Sequence, residues 1–153
     1  MYGAMFPHFD SWNMCRLLAS AAEAMKDEGV VVVEELDRVD MIFRTGFREV
    51  ILENPNPEEL SISVHVGYDV VRGAYKRCFM RLRDLEHVEM PLSFRSVSAI
   101  AATLWLFTED VDLILAGERW AYFILGRRPR RLIRPERLAG DPAVLERGRP
   151  WTK

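Results

Sequence analysis

Seven residues, Leu60-Ser61-Ile62-Ser63-Val64-His65-Val66, alternate apolar and polar without a break. A strand points successive side chains to opposite faces, so this spacing sets Leu60, Ile62, Val64 and Val66 on one side. Ser61, Ser63 and His65 fall on the other. The pattern predicts a strand with one buried, aliphatic face, and with it a sheet of which that strand is a member.

Other stretches supply neighbours. Val30 to Val33 is β-branched throughout and favours a strand. A turn near Asp37-Arg38 leads to a further short strand, Met41 to Arg44, and Thr45-Gly46 makes a second turn. Phe47 to Glu53 reads as another strand. Asn54-Pro55-Asn56-Pro57 is a loop, because two prolines restrict the backbone and remove donors. Residues 70–84 fit either period: Cys78, Met80 and Leu82 alternate as in a strand, whereas Tyr75, Phe79 and Leu82 suit a helix. The strand is preferred. Val111 to Ala116 and Arg119 to Leu125 form a hairpin around Gly117-Glu118.

Helical spacing governs two segments. Asp10 or Ser11 caps a helix over 11–28, in which Cys15, Leu18, Ala22 and Met25 share a stripe and Gly29 ends the run. Val97, Ile100, Ala101, Leu104 and Phe107 place a second helix at about 96–108, widened by Trp105 and Leu106. Short turns between strands imply antiparallel pairing. The fold expected is therefore α+β: a two-layer sandwich with a mainly antiparallel sheet of five to seven strands, two main helices and a basic C-terminal extension. Strand and helix do not alternate, and no glycine-rich strand-to-helix turn occurs, which argues against a doubly wound nucleotide-binding fold.

At 153 residues, with 49% apolar and 29% charged side chains, one domain can bury a core without metal or disulfide staples. Cys15 and Cys78 are expected as reduced, buried thiols. The longest apolar run, Val97 to Phe107, is short of the roughly 18–20 residues of a membrane span. The N-terminus lacks the basic start and apolar stretch of a signal peptide. A cytoplasmic protein with no membrane partner is expected. The bias of 18 Arg to 3 Lys reads as codon usage in a GC-rich bacterial genome.

Charge is segregated along the chain. Residues 1–126 hold 12 Lys/Arg against 20 Asp/Glu, a net of −8, and residues 127–153 hold 9 against 3, a net of +6. This suggests an α+β domain over 1–126 and a basic, proline-rich extension over 127–153, with a short helix near Pro142 to Arg147.

Candidate chemistry is sparse. His87-Val88-Glu89 spells the His-x-Glu fragment of zinc deaminases, but the downstream Pro-Cys-x-x-Cys that would complete the metal site is missing. Asp10, near His8, is more simply a helix cap than half of an acid–base pair. Cys15 and Cys78 read as core thiols rather than nucleophiles. Glu34, Glu35, Asp37 and Asp40 cluster at a strand end; a solvated turn is the plain reading, and an acidic patch for a basic partner the functional one. Arg127, Arg128, Arg130, Arg131, Arg134 and Arg137 could neutralise phosphates, giving a possible nucleic-acid contact. The preferred reading is that they fold back on the acidic body, clamp an acidic partner or simply aid solubility.

No catalytic residue, metal or cofactor is therefore expected. The function expected is non-catalytic protein binding, as in a bacterial immunity protein, antitoxin-like inhibitor, secretion chaperone or adaptor. Glu34, Glu35, Asp37, Asp40, Arg127, Arg128, Arg130 and Arg131 are the candidate partner contacts. The alternative is an enzyme or nucleic-acid-acting protein that pairs acidic-turn carboxylates or a histidine with phosphate-holding arginines. A concave pocket gathering His65 or His87 with Glu34, Glu35 or Asp40 and an arginine would favour it.

Overall fold

A computed structural model of the chain describes residues 1, 3–117 and 119–149. Within them the fold is α+β, with seven strands in two separate antiparallel sheets.

The first sheet joins β1 (Val30–Leu36), β6 (Thr108–Leu115) and β7 (Ala121–Pro129) in the order β1-β7-β6. Two helices cover its inner face. The first, α1 (Ser11–Ala24), begins where the Asp10 carboxylate accepts the Asn13 N–H at 2.8 Å. It stops four residues before the expected end, because Met25 is already extended. The other, α3 (Val97–Trp105), begins at Ser96, whose hydroxyl accepts the Ala99 N–H at 3.2 Å. Met14, Leu18, Ala19 and Ala22 of α1 meet Val97, Ile100 and Leu104 of α3 over Val33 and Ile124, forming the core together with Phe6 and Phe107. Gly126 permits this approach. A Cβ there would lie 2.9 Å from both Leu104 Cδ2 and Thr108 Cγ2.

The hairpin of β6 and β7 is present as the sequence predicts, but its strands close at Ala116 N–H to Ala121 O, 2.9 Å, so the connection is four residues rather than two and Arg119 lies outside the strand. Its expected turn includes Glu118, which lies outside the described residues. β7 continues past Gly126 to Pro129, and Arg127 faces Val30 and Asp110 across the ladder. The change in charge along the sequence thus falls inside a strand.

The second sheet orders β2 (Val50–Asn54), β3 (Ser61–Asp69), β4 (Ala74–Arg81) and β5 (His87–Leu92) as a meander. β4 takes the strand form preferred for residues 70–84. No strand is expected from the sequence at β5, which carries Pro91. The proline is tolerated because β5 is an edge strand, where a missing donor costs no ladder bond. The expected single sheet is thus two.

The strand expected at Met41 to Arg44 is instead a helix, α2 (Arg38–Thr45). Asp37 decides this: its carboxylate accepts the Asp40 N–H at 2.9 Å, and Gly46 at φ +80° ends the helix. Beyond β7, a 3₁₀ turn at Pro135–Leu138 precedes a one-turn helix, α4 (Ala143–Arg147), close to where the sequence placed it. No helix among the described residues is long and apolar enough to cross a membrane.

Candidate interaction surface

The predicted alternation in β3 is present, but its faces are exchanged. Ser63, at 0% exposure, is buried and the aliphatic side turns outward. The neighbours explain this. Ser63 stands between Ile51 and Phe79, and His65 stands beside Arg77. The inner face therefore gathers Phe79 and Tyr75, with Tyr75 stacked on Phe94 at 4.8 Å and tilted against Phe47 at 5.7 Å. Aromatic rings bury more surface than aliphatic side chains, so their face goes inside.

The outer face is left aliphatic. Val50, Val64 and Cys78 form one cross-strand row and Leu52, Ile62 and Met80 the next. Val50 is 58% exposed and Leu52 57%. Val66, at the β-bulge between His65 and Gly67, is also exposed. Val50 and Leu52 lie on β2, whose outer edge meets no other strand among the described residues. An open edge beside exposed aliphatics is a surface on which another chain can pair.

The residues singled out by sequence are dispersed. Glu34 accepts the Gly3 N–H at 2.8 Å. Glu35 is 2% exposed, pairs with Arg38 at 3.3 Å, and accepts the N–H groups of Phe6 and Leu36. Burial pushes its carboxyl above the ordinary value, against the pull of these partners. Asp37 caps α2 and also accepts the Val97 N–H at 3.1 Å. Asp40 pairs with Arg44. The four carboxylates are thus largely engaged with the protein's own groups.

The arginines are committed in the same way. Arg127 bridges Asp110 and Asp112, Arg128 pairs with Glu109, and Arg131 pairs with Asp27. Arg130 donates to the Glu109 carbonyl and lies 5.1 Å over the Trp105 ring. Of the readings open for the basic stretch, docking on its own acidic body is the one these contacts display.

No described pocket gathers a histidine with Glu34, Glu35 or Asp40. His65 sits among Phe47 and Tyr75, and His87 is exposed on β5. No group of three or more metal-ligating side chains occurs among the described residues. Asp10 caps α1 as expected and pairs with Arg72 at 2.7 Å. Cys15 and Cys78 are free and half-buried, and burial raises the Cys15 thiol against the opposing influence of Arg95.

Sequence reasoning missed Val50 and Leu52 as surface residues. The usable signal was the run Tyr75-Lys76-Arg77-Cys78-Phe79, which puts two rings on one face of β4. No protein-family model and no curated protein matches the chain in sequence.

Proposed function

We propose that the chain is a non-catalytic protein-binding module that docks its partner on β2 and the outer face of the four-stranded sheet. The observation that carries the reading is the exposure of Val50 and Leu52 on an unpaired edge. The partner supplies an extended strand along β2, with aliphatic residues continuing the rows of Val50 and Leu52.

A second copy fits this edge poorly. Two β2 strands paired so that Val50 meets Leu52 would set Glu49 opposite Glu53, twice. Like charges directly opposite are destabilising. The complementary strand therefore carries Lys or Arg opposite Glu49 and Glu53, which identifies a different protein.

The test is affinity capture from native cells with the wild-type chain and a Val50→Lys, Leu52→Lys variant whose circular dichroism matches wild type. A stoichiometric protein retained by wild type and lost by the variant is expected, with hydrogen-exchange protection gained at β2. Light scattering that shows a wild-type dimer abolished by the same substitutions would overturn the choice of partner. Recovery of nucleic acid, lost in high salt, would overturn the reading altogether.

A further inference from the structure

A second feature lies on the other side of the four-stranded sheet, between its inner face and α2. It is a cavity of about 260 Å³, just below the roughly 300–1,000 Å³ of drug-sized ligand sites and so suited only to a small ligand. Its walls are apolar, built from Met41 and Ile42 of α2, Ile51 of β2, and Phe47 and Phe94. The ionisable residues that line it are all arginines: Arg38, Arg48 and Arg77.

Arg77 is the unusual member. It is 2% exposed, yet no carboxylate lies within ion-pair distance among the described residues. Its guanidinium donates to Ser63 Oγ at 2.9 Å and to three carbonyls, those of Arg48, Glu49 and Ser63. That uses four of its five N–H groups. The nearest carboxylate in the network, Glu53, is one hydroxyl removed: it accepts from Ser63. A buried charge held only by neutral acceptors is costly unless an anion completes the site.

Two further donors at the cavity are unsatisfied. Arg38 Nε and Trp120 Nε1 are both buried without a hydrogen-bond partner among the described residues, and both residues line the cavity. Arg48 is exposed at this site, and its guanidinium has no hydrogen bond or ion pair among the described residues. Native interiors rarely leave buried donors such as Arg38 Nε and Trp120 Nε1 orphaned, and each of these calls for an acceptor.

We propose that this cavity binds a small apolar carboxylate, whose anionic group is taken by Arg48, Arg77 and the Trp120 indole N–H while its hydrocarbon packs against the α2 and Phe94 wall. Aryl or branched-alkyl monocarboxylates match the chemistry. The mostly apolar lining and small volume disfavour a phosphate ester, which would bring more charge than hydrocarbon. The site is separate from the docking face, and either can fail without the other.

The experiment titrates the full chain with benzoate, phenylacetate, phenylacetamide and inorganic phosphate, following the Trp120 indole N–H resonance by NMR. Both carboxylates are expected to saturate with a dissociation constant below about 1 mM. They should move that resonance downfield, while the neutral amide leaves it in place. Arg48→Ala is expected to weaken phenylacetate about tenfold or more, the scale of a lost charge-assisted hydrogen bond. Ile42→Trp, which fills the cavity without touching a donor, should abolish binding with the melting temperature kept. No saturable shift with either carboxylate would overturn the proposal, as would equal binding of the amide or phosphate. So would indifference to both substitutions.

Discussion

Gly126 shows how little room one residue can leave. It faces α3 from β7, and the 2.9 Å separations to Leu104 Cδ2 and Thr108 Cγ2 leave no place for a methyl group. Gly126→Ala must push α3 outward or bend β7. The expected cost is about 1–3 kcal/mol, the scale of overpacking in a filled core. A lower urea midpoint with unchanged slope would register it, and an unchanged midpoint would refute it. Glu35 makes a different demand. Loss of solvation raises its carboxyl above the ordinary 4.5, outweighing the Leu36 and Phe6 N–H groups and the charges of Arg38 and Arg95. The folded state therefore holds a proton that the unfolded chain has already released. Stability from this group is fully present below the ordinary value and is lost as pH rises through the folded one. Glu35→Gln removes that window. The stability difference, wild type minus variant, should accordingly move in the wild type's favour as pH falls from about 7 to about 4. Parallel pH profiles for the two proteins would contradict this.

At the scale of elements, Asp37 couples two helices through one carboxylate. One oxygen accepts the Asp40 N–H in α2 and the other accepts the Val97 N–H at the start of α3. Asp37→Ala is expected to cost about 2 kcal/mol, at the upper end for a cap. Amide exchange should quicken at Asp40 and Val97 together, and a response at only one would mean that the two helices are secured independently. The same carboxylate marks where the sequence was legible and where it was not. Caps and turns are local chemistry, so Asp10 before α1, the β6–β7 hairpin and the short α4 could be read from neighbouring residues. Met41-Ile42-Phe43 looks like a strand until Asp37 is recognised as the N-cap of a helix. The inward side of β3 could not be read from β3 alone. Its alternation is unmistakable, but which face is buried depends on Tyr75 and Phe79 in the neighbouring strand. The partition of seven strands into two sheets is likewise a long-range choice. For the candidate surface, aliphatic identity was visible in the sequence while exposure was not. The cavity's arginines gave no local signal at all.

For the whole molecule, charge segregation along the sequence becomes charge pairing in space. The acidic excess of residues 1–126 meets the basic excess beyond them through Asp27, Glu109, Asp110 and Asp112. These pairs are exposed, and each contributes roughly 0–1 kcal/mol at most, so they orient the segment more than they hold it. The stronger anchor is Arg16 of α1. Its guanidinium donates to the Leu138 carbonyl at 2.7 Å, to the Gly140 carbonyl at 3.2 Å and to Asp141, while Leu138 packs against the core. Arg16→Ala removes all three bonds and leaves the acidic pairs untouched. Losing a charged donor of this kind costs about 1.5–3 kcal/mol, which raises the undocked population about tenfold or more. Proteolysis of a segment that opens and recloses quickly follows that population. Trypsin should then cut after Arg137 about tenfold faster in Arg16→Ala than in wild type, with the remainder of the chain still resistant. In 1 M salt the wild-type rate should rise far less, because the anchoring carbonyls are not screened as ion pairs are. If salt alone frees the segment and Arg16→Ala does not, the exposed pairs are the fastening and Arg16 is incidental.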